Sequence, residues 1–245
     1  MTSQSKVGHF SAYSFDASIM DTILALTQGA TICVISEEDR LNCLADAMSR
    51  LQVTWCFLTR LSYKCWSLNR YLSYKLFGYG PTETSVICVF TRPLEPTDDG
   101  SNIGRPLVCQ AWVTDTTTTE RLLPIGTVGE IVIQGPNVGR GYMNSLAKAQ
   151  SGFIDSPSWS SKVTKNVPGR FYRTGDLGRL NHDGSFTIVG RKDDQVKLRG
   201  QRIELHEVEY HINKGPIIQE AIVVVPVEGP FKQRLVTLVR LKDVP

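Results

Sequence analysis

The fold class is decided by residues 30–58, which have the sequence ATICVISEEDRLNCLADAMSRLQVTWCFL. The apolar, β-branched run at 30–35 predicts a buried strand, and Ser36 followed by three acidic residues marks a helix start. Apolar residues then recur at helical spacing until 53–58, which again has the pattern of a strand. A further amphipathic helix is predicted to end at Gly29. Alternating helices and strands are typical of an α/β layer with a parallel sheet.

The second half of the chain is dominated by strand patterns. Strands are predicted at residues 130–134, 186–189, 195–198, 221–227 and 235–241, with a hairpin turn at Asp183-Gly184. One helix is predicted at 205–212, and the polar stretch 151–168 is expected to form a surface loop. This change of pattern predicts a second subdomain, with the boundary near the charged stretch 191–194.

Composition limits the class of protein and its partners. Of 245 residues, 41% are hydrophobic and 21% are charged, which is typical of a soluble globular protein. The net charge of +3, with scattered Lys and Arg, argues against a nucleic-acid partner. Asp16 and Asp21 interrupt the most apolar stretch, so no membrane span is predicted. Six cysteines without a CxxC pair and a polar N-terminus without a signal peptide indicate a cytoplasmic protein.

Two motifs suggest contacts with a nucleotide. The sequence YGPTET at 79–84 predicts a tight turn after which Thr82 and Glu83 offer hard oxygen ligands for a phosphate-bound Mg²⁺. Taken alone, such a motif is more often a plain turn. The sequence YRTGDL at 172–177 places Asp176 at a glycine turn, where it could accept hydrogen bonds from two adjacent hydroxyls or simply cap the turn.

Two further motifs carry charged groups. The sequence GRKDDQVKLRGQRIE at 190–204 alternates basic residues with a strand pattern, so that Arg191 could bind an anion or belong to a solvated hairpin. The sequence FDAS at 15–18 precedes a helix. Asp16 could therefore cap that helix or hold an ammonium group in a pocket.

In this order and at these intervals, the four motifs resemble the serial core motifs of the adenylate-forming superfamily. The resemblance is closest to fungal-type nonribosomal peptide synthetase adenylation domains, and the segments GEIVI at 129–133 and GRGYM at 139–143 extend it. It implies a partial adenylate-forming fold, with a large α/β/β-barrel N-terminal subdomain over residues 1–192. The start of a small α+β C-terminal subdomain would occupy residues 193–245.

The resemblance also implies a reaction. Such domains join an amino acid to ATP, giving aminoacyl-AMP and pyrophosphate, and then pass the acyl group to the phosphopantetheine thiol of a carrier domain. Carrier and condensation domains are therefore the implied partners. By resemblance, Tyr79 lies against the adenine, Asp176 binds the ribose, and Arg191 reaches the ribose or phosphate. Thr82 and Glu83 are the implied catalytic pair at the α-phosphate, with Glu83 as the Mg²⁺ ligand.

The same resemblance assigns the amino-acid pocket. Asp16 would pair with the amino group of the substrate, and Asp193 would be the hinge of the small subdomain. The remaining pocket is implied to be lined by Ala17, Met20, Gly78 and Val86. Asp16 favours amino-acid activation, because a fatty acid would leave this carboxylate without a partner.

Departures from the family pattern lead to a further expectation. The phosphate loop would precede His9, an internal deletion is expected near residues 59–76, and the motif with the adenylation lysine would follow Pro245. We therefore expect a truncated fragment without adenylation activity of its own. Two alternatives stay open at this point, an acyl-CoA synthetase-like fragment and a non-catalytic, pseudogene-type remnant.

Overall fold

A computed structural model describes residues 1–57, 78–91, 101–143, 152–163, 169–198, 201–226, 228–232 and 234–242. The contacts divide the chain into two units, Met1–Gly190 and Arg191–Pro245. The predicted boundary between residues 192 and 193 stays a prediction, and the expected deletion near 59–76 lies outside the described residues. Within the described residues, no helix is both long and apolar enough to cross a lipid bilayer.

The first unit begins with a three-stranded parallel sheet in the order β2-β1-β3. Its strands are β1 (Lys6–His9), β2 (Thr31–Val34) and β3 (Trp55–Cys56), and β1 pairs in parallel with both neighbours. The predicted parallel sheet is confirmed. Its central strand was missed, because this polar stretch has little strand propensity of its own and is made a strand by pairing on both sides.

The helices of this layer follow their sequence signals closely. The Ser36 hydroxyl accepts a hydrogen bond from the Asp39 N–H over 3.1 Å, so it caps the helix Glu37–Asn42 as predicted. A second helix, Leu44–Arg50, packs its apolar side against the sheet. The break between them falls at Cys43, whose φ of −137° is not helical.

The helix predicted before Gly29 has an unusual first half. Met20–Leu24 forms a π-helical segment, and Ala25–Thr27 continues as α-helix. Gly29 ends the helix with a φ of +66°, as the sequence predicts. Short π segments inside helices occur frequently at functional sites, so this one is of interest beside Asp16.

The rest of the first unit is an eight-stranded sheet whose described pairings are antiparallel. Its order is β4-β5-β6-β11-β10-β8-β7, with β9 paired to β10. The strands are β4 (Gly78–Tyr79), β5 (Val89–Phe90), β6 (Asn102–Pro106), β7 (Gln110–Thr114), β8 (Gly129–Gly135), β9 (Phe153–Ile154), β10 (Arg170–Leu180) and β11 (Phe186–Arg191). Strand β8 is buried along its whole length and is the centre of the core. The predicted hairpin turn joins β10 to β11, with Gly184 at a φ of +82°.

The expectation of a loop at 151–168 is wrong for part of that stretch. It contains β9 and a short helix, Ser160–Val163. The reason is Trp159, which is buried against Trp112 at a ring distance of 5.1 Å and donates its indole N–H to the Thr119 carbonyl. Burial of the Trp159 side chain thus gives part of this polar stretch a regular structure.

The second unit is a small α+β structure. Strands β12 (Gln195–Leu198) and β13 (Gln201–Glu204) form an antiparallel hairpin, and the helix Leu205–Asn213 follows. Strands β14 (Ile218–Val224) and β15 (Val236–Leu241) pair antiparallel. The elements predicted here are all present, with ends that differ by a few residues.

Gly104 and Gly126 provide a matched test of the pairing between β5 and β6 in the eight-stranded sheet. Both have positive φ, +88° and +85°, but a Cβ at Gly104 would overlap the backbone of Phe90, whereas a Cβ at Gly126 meets nothing within 4 Å. We expect Gly126→Ala to lower the free energy of unfolding by about 1–2 kcal/mol, the cost of the left-handed backbone. Gly104→Ala should cost several kcal/mol more, because β6 must move away from β5. Urea unfolding followed by circular dichroism measures both; equal effects would contradict the described β5–β6 pairing.

Candidate functional site

The first motif forms the turn between β4 and β5. Tyr79 pairs with Val89 across this hairpin, and the 3-10 turn Thr82–Thr84 lies between them. Ser85 and Val86 then adopt positive φ values of 60° and 74°. A positive φ at a β-branched residue stores about 1–3 kcal/mol of strain, and such strain clusters at functional sites. The predicted pocket residue Val86 is therefore held in a conformation that the surrounding turn must enforce.

Two glycines allow the backbone of this turn to pack closely. A Cβ at Gly80 would lie 2.5 Å from the Val86 carbonyl oxygen, and a Cβ at Gly78 would lie 2.9 Å from Cγ2 of Ile87. Any larger residue would push the two arms of the hairpin apart. The role of Gly78 in lining a pocket stays a prediction.

The structure brings the first two motifs into direct contact. The Tyr79 hydroxyl donates a hydrogen bond to Oδ2 of Asp176 over 2.5 Å. Burial, and after it the charge of Asp176, raises the pKa of Tyr79 well above its ordinary value. Tyr79 is therefore a protonated donor at neutral pH. Two residues separated by 97 positions in the sequence thus share one place in the fold.

Asp176 lies on a bulge in β10. The register between β10 and β8 shifts between Arg173 and Leu177. Within the bulge, Thr174 donates its hydroxyl to the Ile131 carbonyl over 2.8 Å and accepts the Asp176 N–H over 3.0 Å. Bulges re-aim side chains and are frequent next to active sites. This one directs the chain so that the Asp176 carboxylate meets Tyr79.

A buried carboxylate on the neighbouring strand accepts hydrogen bonds from this bulge. Glu130, on β8, is only 2% exposed. It accepts hydrogen bonds from Nε of Arg173, at 3.2 Å to each carboxylate oxygen, and from Nη2 at 2.5 Å. Its Oε1 also accepts the backbone N–H of Gly175 over 3.3 Å, where φ is +72°. Glu130 therefore holds two of the residues that precede Asp176.

Glu83 lies on the turn after Tyr79, next to the exposed Thr82. Its Oε1 accepts a hydrogen bond from the Tyr142 hydroxyl over 2.6 Å. Among the described residues, no group of three His, Cys, Asp or Glu is arranged to hold a metal ion. A single protein carboxylate fits Mg²⁺, which is commonly bound by one or two carboxylates together with substrate phosphates.

Asp16 lies in the tight turns that precede the π segment. The Ile19 N–H donates to the Asp16 carbonyl over 3.1 Å, and Ser18 and Ile19 are already helical before the π segment begins. The capping alternative for Asp16 stays a prediction. Its Oδ2 is buried and has no hydrogen-bond partner among the described residues. A buried carboxylate oxygen of this kind fits a cationic ligand, because leaving it unpaired is costly.

Asp21 was missed as a site residue. It is fully buried, and its Oδ2 accepts the backbone N–H groups of Phe10 and Ser11 over 3.2 and 2.9 Å. Burial raises its pKa above the ordinary Asp value despite these hydrogen bonds. Asp21 therefore ties the helix that follows Asp16 to the chain leaving β1. In the sequence it is only a charge within an apolar stretch, and burial is what distinguishes it.

In the second unit, two predicted residues contact each other. Arg191 donates from Nε and Nη2 to the two carboxylate oxygens of Asp193 over 2.6 and 2.7 Å. The Gln195 N–H also donates to Asp193 over 3.3 Å. This bidentate pair fixes the Arg191 side chain at the start of the unit. Nucleotide binding by Arg191 and a hinge at Asp193 stay predictions.

Comparison with known proteins identifies the family. The model of the AMP-binding enzyme family matches residues 68–143. Nonribosomal peptide synthetase 4 of Gibberella zeae is 37% identical over 98% of this chain, and nonribosomal peptide synthetase atnA of Emericella nidulans is 38% identical over 99%. The chain belongs to the AMP-binding enzyme family. It spans about 4% of the length of each of these two synthetases.

Solved adenylation domains of this family share the fold. The Vibrio cholerae adenylation domain AlmE, in complex with glycyl-adenosine-5′-phosphate, has a TM-score of 0.78 at 24% identity, over 98% of this chain and 50% of that one. The artificially fused adenylation–PCP di-domain NpsA-ThdA from Klebsiella oxytoca has a TM-score of 0.76 at 22% identity, over 99% and 49%. The predicted partial adenylate-forming fold is confirmed.

Relationship to nonribosomal peptide synthetases bears on one of the two alternatives drawn from the sequence. The curated relatives named above are such synthetases, so the chain is an adenylation-domain segment and the acyl-CoA synthetase-like alternative is not favoured. Glu130 and Tyr142, missed as site residues, lie inside the segments 129–133 and 139–143 that extended the resemblance, and this was the signal available for them.

Glu130 allows a test of the bulge. We expect Glu130→Ala to lower the free energy of unfolding by about 3–5 kcal/mol, because Arg173 loses its partner in a largely buried site. Arg121→Ala is the control in the same unit, since it removes only an exposed ion pair with Asp115 at 4.0 Å and should cost at most about 1 kcal/mol. Denaturant unfolding followed by tryptophan fluorescence reports both. A small effect of Glu130→Ala would show that the carboxylate does not hold the bulge.

Proposed function

We propose that this chain supplies the nucleotide-binding and amino-acid-binding groups of a domain that converts ATP and an amino acid into aminoacyl-AMP and pyrophosphate. In this reaction an oxygen of the substrate carboxylate forms a bond to the α-phosphorus, and the bond from that phosphorus to pyrophosphate breaks. The observation that carries the proposal is the direct Tyr79–Asp176 hydrogen bond, which unites two motifs in one site. The expectation that the chain is inactive by itself stays a prediction.

The nucleotide is assigned to the surface around this hydrogen bond. Asp176 binds the ribose hydroxyls, because a carboxylate can accept hydrogen bonds from two adjacent hydroxyls. Tyr79, which is 8% exposed, lies against the adenine. Arg191 is assigned to the ribose or phosphate.

The turn after Tyr79 is assigned to the reacting phosphate. Thr82 and Glu83 serve the α-phosphate, and Glu83 holds Mg²⁺. When bound, Mg²⁺ supplies positive charge that stabilises the developing negative charge on the phosphate oxygens. Orientation of the two reactants and electrostatic stabilisation account for most of the catalysis, because no covalent bond to the protein is needed.

Asp16 is assigned to the ammonium group of the amino acid. Its buried Oδ2, without a partner among the described residues, supports this role. Ala17 and Met20, which follow on the same segment, line the side-chain pocket together with Gly78 and Val86. The acyl group then passes to the phosphopantetheine thiol of a carrier domain, and Asp193 is the hinge for the accompanying movement of the second unit.

Binding of AMP tests the assignment of Asp176. We expect Asp176→Ala to weaken AMP binding by about 10- to 150-fold, because a charge-assisted hydrogen bond contributes about 1.5–3 kcal/mol. Tyr79→Phe removes the hydrogen bond between Tyr79 and Asp176 but keeps the Asp176 carboxylate, so it should weaken AMP binding less. Asp183→Ala, in the exposed hairpin turn, is the control. Ligand-observed NMR measures the affinities, and unchanged binding by Asp176→Ala would place the nucleotide elsewhere.

A pair of adenylate analogues tests Asp16. One is alanyl-sulfamoyl-adenosine, and the other is its propionyl counterpart, which lacks only the amino group. The wild-type chain should prefer the alanyl analogue by about tenfold or more, because the ammonium group pairs with a buried carboxylate. Asp16→Ala should remove this preference, whereas Asp46→Ala, on an exposed part of the helix Leu44–Arg50, should keep it. Equal binding of the two analogues by the wild-type chain would refute amino-group recognition by Asp16.

A further inference from the structure

Tyr142 makes a short hydrogen bond to the carboxylate assigned to Mg²⁺. Its hydroxyl donates to Oε1 of Glu83 over 2.6 Å and lies 3.4 Å from the Tyr172 hydroxyl. A distance of 2.6 Å is typical of a charge-assisted bond between a hydroxyl and a carboxylate. Tyr142 therefore fixes one of the two oxygens of Glu83 and with it the plane of the carboxylate.

The backbone of the same turn is held by other groups. The Gly139 N–H donates to the Glu83 carbonyl over 2.8 Å, the Ser85 hydroxyl donates to the Asn137 carbonyl over 2.8 Å, and the Asn137 side-chain amide donates to the Thr84 carbonyl over 3.0 Å. These bonds do not involve the Tyr142 hydroxyl. Its removal should therefore release the Glu83 side chain while leaving the turn in place.

The Tyr142 ring is also held independently of its hydroxyl. It packs edge-on against Phe153 at 5.4 Å between ring centroids, and Phe153 packs against Tyr172 at 5.0 Å. A phenylalanine at position 142 keeps these ring contacts. The substitution Tyr142→Phe thus isolates one atom, the oxygen that faces Glu83.

We propose that Tyr142 is a positioning residue for Mg²⁺, acting through Glu83. The inference rests on the proposed role of Glu83 as the Mg²⁺ ligand. Mg²⁺ requires near-ideal octahedral geometry, so a carboxylate that can rotate is a poorer ligand than one already held. Hydrogen bonds from outer residues to metal-binding side chains typically change metal affinity by about 10- to 100-fold.

The experiment compares ATP binding by the chain in excess Mg²⁺ and in EDTA, using titration calorimetry. The ratio of the two affinities isolates the contribution of the metal. We expect Tyr142→Phe to lower this ratio by about tenfold, with the affinity in EDTA unchanged. Glu83→Gln should abolish the Mg²⁺ dependence, and the double variant should be no worse than Glu83→Gln alone. Tyr210→Phe, in the second unit, removes a hydroxyl from a ring that contacts Lys214 and should change neither affinity.

The possible results separate this inference from the proposed function. If Tyr142→Phe leaves the ratio of the ATP affinities in Mg²⁺ and in EDTA unchanged, while Glu83→Gln lowers it to about one, the role of Tyr142 alone is overturned. Equal weakening with and without Mg²⁺ would show that the hydroxyl has only a general structural role, which also overturns it. A wild-type ratio near one, or one unaffected by Glu83→Gln, would refute Glu83 as the metal ligand and the inference with it.

Discussion

The buried carboxylate of Glu130 is the interaction on which the proposed nucleotide site depends. One charged side chain, enclosed by the core of the second sheet, accepts hydrogen bonds from Arg173 and from the backbone of Gly175. Burying a carboxylate is costly unless it is paired and hydrogen-bonded. The hydrogen bonds that offset the cost of burying Glu130 also hold the bulge of β10, and on this bulge the Asp176 carboxylate accepts the hydrogen bond from Tyr79.

The other candidate residues depend on constraints of the same kind. The turn that carries Glu83 contains two residues with positive φ, and contacts from the segment 135–142 hold it in that conformation. The helix after Asp16 is joined to the end of β1 through the buried carboxylate of Asp21. In each case a strained or costly local arrangement is kept by hydrogen bonds to another segment of the chain, as preorganised binding sites require.

Much of this structure could be predicted from local sequence signals. The cap at Ser36, the stop at Gly29 and the hairpin at Asp183-Gly184 each depend on residues close to one another in the chain. The central strand β1 and the ordered part of 151–168 could not be predicted, because pairing on both sides and a single buried tryptophan decide them. The motifs located Asp176 and Glu83. Glu130, which holds the segment before Asp176, is 46 positions away from Asp176 in sequence, and Tyr142, which bonds to Glu83, is 59 positions away from Glu83. Only the fold brings them together.

The most direct test of the account is a crystal structure of this chain with AMP bound. It predicts that both ribose hydroxyls lie within about 3 Å of the Asp176 carboxylate, which is hydrogen-bonding distance. It also predicts that Glu130 remains bonded to Arg173 and to the Gly175 N–H beneath the nucleotide. A nucleotide bound away from Asp176, or an Asp176 segment in place without the Glu130 contacts, would contradict the account.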